Sequence, residues 1–108
     1  MDGEKRLVAK TGKVTTQPEI CYSAKGNAHT HFNIESKRET IEISAYFNLA
    51  ECIAESIVVG DHVVVVGKGG IETWQRRQRK VITADALGPD LKFTTCEVHR
   101  IERRTVDV

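Results

Sequence analysis

The 108-residue chain predicts an all-β barrel carrying a single helix, and two observations predict it. Most apolar residues recur at every second position, in short runs separated by turns rich in Gly, Pro or charge, as half-buried strands do. One stretch alone switches to steps of three and four, and it falls between the third and fourth of those runs.

Residues 1–6, "MDGEKR", are polar and predict a frayed end or an edge extension of the first strand. Leu7 to Val14, "LVAKTGKV", forms a first strand with Gly12 as a bulge or bend. The next segment, "TTQPEICYSAKGN", is punctuated at Pro18 and at Lys25-Gly26-Asn27, and reads as a loop, a short strand segment and a turn. In "AHTHFNIE", Ala28, Thr30, Phe32 and Ile34 share one face, and His29, His31, Asn33 and Glu35 share the other. After the polar turn "SKRE", "TIEISAYF" sets Ile41, Ile43, Ala45 and Phe47 on one side and Thr40, Glu42, Ser44 and Tyr46 on the opposite one. These two runs are expected to pair as a hairpin.

From Asn48, the expected N-cap, Leu49, Cys52, Ile53, Ser56 and Ile57 follow a helical period, and Gly60 stands just past the end. A β-branched run, Val63 to Val66, then leads into "GGIETWQRRQRKV"; "KVITADAL" returns from it and Gly88-Pro89 ends the strand. Three strands, a helix of about three turns, then two strands joined by a long basic hairpin is the order in which an OB-fold is wound, the helix plugging the barrel's open end. The same order fits other small β-rich folds. The expectation is a five-stranded OB-fold barrel with one α-helix between strands 3 and 4, a single domain over 1–108 with flexible ends at 1–6 and 103–108.

Apolar residues make up 40% of the chain and charged residues 29%, a globular balance. A chain of this size buries roughly two-thirds of its unfolded surface in one core. The longest apolar run, Val63 to Val66, is far short of the roughly 18 residues of a membrane span, and the N-terminus has no apolar signal region, so a cytoplasmic protein is expected. Cys21, Cys52 and Cys96 are odd in number and lack CxxC spacing, which predicts reduced thiols rather than a disulfide framework or a zinc knuckle. With a net charge of +1 the whole molecule does not attract a polyanion. Locally, however, Lys68, Arg76, Arg77, Arg79 and Lys80 face only Glu72 in sequence.

Trp74 is the chain's only tryptophan and lies inside that basic stretch. It reads either as an exposed ring for stacking on a base or as a packing residue against a neighbouring subunit; the cations read either as phosphate ligands or as charges that protect a strand edge. His29 and His31 share a strand face and suit base contact or plain polar surface. They could chelate Zn²⁺ or Cu²⁺ only if two more ligands converged, and the nearby sequence supplies none, so no metal and no cofactor are predicted. Leu91-Lys92-Phe93 is expected to bury its Leu and Phe against the barrel or a partner chain. No Cys/His dyad or catalytic carboxylate pair is evident, which argues against an enzyme.

Taken in order, these stretches resemble the bacterial single-stranded DNA-binding proteins, in the manner of actinobacterial members. The resemblance spans roughly Leu7 to Val98 and rests on "GKVTTQPEI", "KGNAHTHFNI", "LAECIAESIVVGDHVVVVGK" and "ALGPDLKFTTCEV". It implies an OB-fold that assembles as a homotetramer, with a dimer also open, and wraps single-stranded DNA by stacking bases on aromatic rings in a cationic groove. By position, it implies that Trp74 and Tyr46 are stacking platforms and that Lys13, Lys68, Arg76, Arg77 and Arg79, with Lys80 in the same run, contact phosphate. His29 and His31 are candidates to supplement them.

Two departures weaken the likeness. Thr40 stands where the family has a further aromatic, and the usually long hairpin between strands 2 and 3 shrinks to "ESKRET". With stacking worth about 1–3 kcal/mol per base, losing both platforms weakens binding by about 2–6 kcal/mol unless other groups compensate. The chain ends at "RIERRTVDV" with Asp107 alone, so recruitment of repair enzymes through an acidic tip is expected to be absent. The function implied is sequence-independent binding of single-stranded DNA in replication, recombination or repair, at the nucleoid in the cytoplasm. The alternative is a primosome-type accessory or partner subunit that acts mainly through protein contacts.

Overall fold

The alternation read from the sequence becomes a closed barrel in the computed structural model, which describes residues 6–101 except for the side chain of Trp74, so the stacking expectation for that ring lies outside what is described. The order is β1 (Arg6–Val14), β2 (Glu19–Tyr22), β3 (Ala28–Ser36), β4 (Glu39–Tyr46), α1 (Phe47–Ser56), β5 (His62–Trp74) and β6 (Arg77–Pro89). β1 pairs with β5, β5 with β6, β6 with β4, β4 with β3, and β3 returns to β1 through Lys13–Glu35 and Val14–Ile34. These five strands form a ring, all antiparallel except β4 with β6, and closure leaves an inside that only one face of each strand can fill. The short β2 adds to the outside of β3. Counting only the ring strands, α1 lies between the third and fourth, as expected for an OB-fold.

The inside is apolar. Val14, Phe32, Ile34, Ile41, Ile43, Ala45, Val63, Val65, Ile82 and Ala84 fill it, and Ala50, Ile53 and Ile57 of α1 close it from one end. Thr30 and Ser36 are the buried polar residues among those described; the Thr30 hydroxyl donates to the Glu19 carbonyl at 2.8 Å, which ties β2 to β3. Behind the helix, the Gln17 amide donates to the Ile57 carbonyl at 3.2 Å and accepts from the Val59 N–H at 3.3 Å, fixing the chain as it turns into β5.

Two glycines sit where the backbones nearly touch. At Gly12, where β1 passes from β5 to β3, an added Cβ would press on the Glu35 carbonyl oxygen. At Gly67, beside the irregularity in β5–β6 register after Val66, it would run into the Thr83 carbonyl oxygen. A bulge of this kind bends the long hairpin so that its base closes the barrel and its tip projects away.

Two expectations are corrected, those for Phe47 and Asn48. Arg6 opens β1, in keeping with an edge extension of that strand; residues 1–5 and 102–108, including Asp107, lie outside the described residues. Phe47 does not continue the inner face of β4. Its φ is +62°, it is the first residue of α1 and it is 62% exposed, because the chain has to reverse from strand to helix at that residue. Asn48 is therefore inside the helix; Tyr46 occupies the N-cap position and makes no side-chain cap. Leu91 is 64% exposed, and Phe93 stacks on His62 at 3.9 Å between ring centroids while keeping most of its surface open, so neither is fully buried against its own barrel and the partner-chain alternative stands.

Candidate nucleic-acid interface

The outer face of the sheet is set by the same alternation that fills the core. On β3 the outward residues are His29, His31, Asn33 and Glu35; on β4 they are Thr40, Glu42, Ser44 and Tyr46. Register aligns them across strands. His31 pairs with Ser44, Ser44 with Thr83 of β6, and Thr83 with Lys68 of β5, one row that crosses four strands. At about 4.8 Å per strand, His31 and Lys68 stand about 14 Å apart along the sheet. In the adjacent row, Cys21 of β2 pairs with His29 and His29 with Tyr46.

The rings form a chain. His31 and His29 lie 5.3 Å apart edge-on, His29 and Tyr46 6.3 Å, Tyr46 and Phe47 6.3 Å. The Ser44 hydroxyl lies 3.0 Å from His31 Nδ1, a hydrogen bond that orients this exposed ring. Tyr46 is 43% exposed. Among the described residues no three His, Cys, Asp or Glu side chains converge on a metal position. The three cysteines are free thiols, Cys21 and Cys96 exposed and Cys52 partly covered.

The cations divide into groups. Lys68 and Lys13 are exposed on the outer face, Lys13 at the seam opposite Glu35. Arg76 is in the two-residue turn at the hairpin tip, and Arg77 follows it opposite Trp74. Arg79 is engaged by two carboxylates, Glu42 at 2.8 Å and Glu72 at 3.1 Å. Lys80 alternates to the opposite side, where it lines the mouth of the barrel with Lys10, Ile41 and Ile71, and its Nζ lies 2.8 Å from both Glu39 oxygens. The hydrogen bond and charge of Lys80, with a smaller pull from Lys10, hold the Glu39 carboxyl below the usual carboxylate range.

The sequence reading missed Phe47 as a surface aromatic. Two signals converge there: the period-two pattern of β4 assigns it inward, while the helical face through Ala50, Ile53 and Ile57 has no use for it. A large ring that belongs to neither pattern marks a junction.

A barrel of this order, with rings and cations on one sheet face, defines an OB-fold binding module suited to an extended polyanion. Residues 7–87 match the model of the single-strand binding protein family, and the chain belongs to that family. The single-stranded DNA-binding protein of Paenarthrobacter aurescens is 28% identical over 95% of this chain and 71% of its own length. That of Corynebacterium glutamicum is 28% identical over 89% of this chain, which spans only 52% of that relative. Among solved structures, the second single-stranded DNA-binding protein of Mycobacterium smegmatis superposes with a TM-score of 0.80 at 25% identity, covering 90% of this chain and 98% of that one. The small single-stranded DNA-binding protein of Streptomyces coelicolor gives 0.69 at 25% identity, covering 83% and 98%.

Proposed function

We propose that this chain binds single-stranded DNA without sequence preference, coating strands exposed in replication, recombination or repair. The observation that carries the reading is the aromatic chain His31–His29–Tyr46 beside a register row that ends at Lys68, all on one open sheet face. The ring spacings of 5.3 and 6.3 Å exceed the roughly 3.4 Å rise of a strand in a duplex, so bases on neighbouring rings are splayed apart rather than stacked on one another. A single strand tolerates this; a duplex does not. Tyr46 and Trp74 take bases, Lys13, Lys68, Arg76 and Arg77 take phosphates, and Arg79 takes one only by exchanging its carboxylates. Lys80, held by Glu39 on the other side, contributes little. The role is binding alone, with no chemical step, and it belongs where DNA is, at the nucleoid in the cytoplasm.

We also propose that the chain works as a homo-oligomer. Leu7 is 71% exposed on β1, whose partner beyond β5 is β3 at Lys13 and Val14 alone, which leaves the earlier part of that edge open for another copy. Light scattering that gives a monomer mass at micromolar concentration would remove this part of the reading.

The binding test uses the single tryptophan. Titration with oligo(dT) at low salt should quench or shift Trp74 emission and raise the anisotropy of a labelled oligonucleotide. If anisotropy does not change, the chain does not bind single strands; if anisotropy rises but emission is unchanged, Trp74 is not a stacking platform.

A further inference from the structure

We propose that Phe47 is a base-stacking residue, a ring that continues the platform of Tyr46 and takes the next nucleobase along the strand. The inference rests on the reading that this sheet face binds single-stranded DNA, and goes beyond it in assigning a role to a residue at the strand–helix junction.

Three observations carry it. Phe47 is 62% exposed, although phenylalanine is among the residue types most often fully buried. Its φ of +62° is left-handed, a conformation in which the Cβ of an L-residue crowds the following carbonyl and which glycine adopts freely. Strain of this kind persists where the rest of the structure over-determines it, and it clusters at ligand-binding sites. No core packing accounts for the ring: the buried cluster takes Ala45 before it and Ala50, Ile53 and Ile57 after it, without Phe47. The left-handed turn instead sets the ring 6.3 Å from Tyr46 at an interplanar angle of 50°. Tyr46 is itself 6.3 Å from His29, so the spacing between neighbouring rings is the same on both sides of the tyrosine. A strand splayed over His29 and Tyr46 reaches Phe47 one further step along.

The test sets stability against affinity. In Phe47→Gly the left-handed turn is relieved, so its Tm should rise by about 4–8 °C. Its affinity for labelled oligo(dT) at fixed low salt should nevertheless fall roughly 5- to 150-fold, the loss of one stacked base. Phe47→Leu keeps the apolar bulk and lacks a π-face, and should lose affinity similarly; Phe47→Trp should bind at least as well as the wild type. If Phe47→Gly binds within twofold of a binding wild type, or Phe47→Leu matches it, the ring is not a stacking platform and the proposal falls alone. A wild type that does not bind oligo(dT) removes the reading of the whole face with it. A Phe47→Gly protein whose mass in light scattering drops together with its affinity assigns the ring to a contact between copies, which also overturns the proposal.

Discussion

Lys68 and Lys80 differ in what their neighbours leave them to do. Lys68 stands exposed at the end of the row from His31, whereas Lys80 is on the other side of the sheet with both Nζ contacts on Glu39. Lys68→Ala should therefore weaken oligo(dT) binding and lower the salt slope by about 0.7, one phosphate's worth. Lys80→Ala should change binding little and act on acid stability instead. Because the folded pKa of Glu39 is depressed, its ion pair stabilises the protein above the unfolded carboxylate's pKa and is lost as pH falls through the lower folded value. A Tm series between about pH 3 and 7 should show wild type losing its advantage over Glu39→Gln at the acid end. Equal pH profiles for the two would mean that this pair contributes nothing. The sequence alone did not separate these lysines, since the basic run was read as one patch although the alternation that correctly turned Tyr46 away from Ile43 and Ala45 also sends Arg79 and Lys80 to opposite sides.

At the scale of elements, strands were legible and their junctions were not. The inner residues of β3 and the start of β4 are buried as the alternation requires, because burying only one side of a pleated strand leaves no other solution. Turn conformation has no comparable periodic signal. Both hairpin turns, Lys37-Arg38 and Gln75-Arg76, hold two successive residues at positive φ, with values of 52° and 71° in the first and 48° and 67° in the second. This is the type I′ geometry that matches strand twist and favours Asn-Gly, which the sequence does not contain at either place. Arg38→Gly should therefore stabilise by about 1 kcal/mol, a rise of about 4–8 °C in Tm by calorimetry, without affecting DNA binding. Gly67→Ala should do the reverse, since its methyl meets the Thr83 carbonyl and must push β5 from β6. A Gly67→Ala protein as stable as wild type would show that the bulge has room to give. The helix start differs from its sequence signal for a related reason: Asn48 has the chemistry of an N-cap, but tertiary closure of the barrel makes the chain turn one residue earlier, at Phe47.

For the molecule as a whole, charge placement matters more than charge. A net charge of +1 cannot steer DNA from a distance, so affinity depends on how many cations of the face are left without carboxylates. Among the described residues, Lys13, Lys68, Arg76 and Arg77 have no ion-pair partner, whereas Arg79 has Glu42 and Glu72. If these four contact phosphate as proposed, about 0.7 each should give a plot of log K against log salt with a slope of about −2.8 for a short oligo(dT). On the proposed contacts, the two carboxylates would reduce both the slope and the affinity by occupying the fifth cation. The paired variant Glu42→Gln/Glu72→Gln releases Arg79, and its slope should steepen toward about −3.5 with tighter binding throughout the range of about 50–200 mM salt. If slope and affinity stay at wild-type values, Arg79 reaches no phosphate, and the hairpin acts through Arg76 and Arg77 at its tip. A slope near zero in the wild type itself would mean that rings alone hold the strand, which an open face with a 43% exposed tyrosine is poorly built to do without charge.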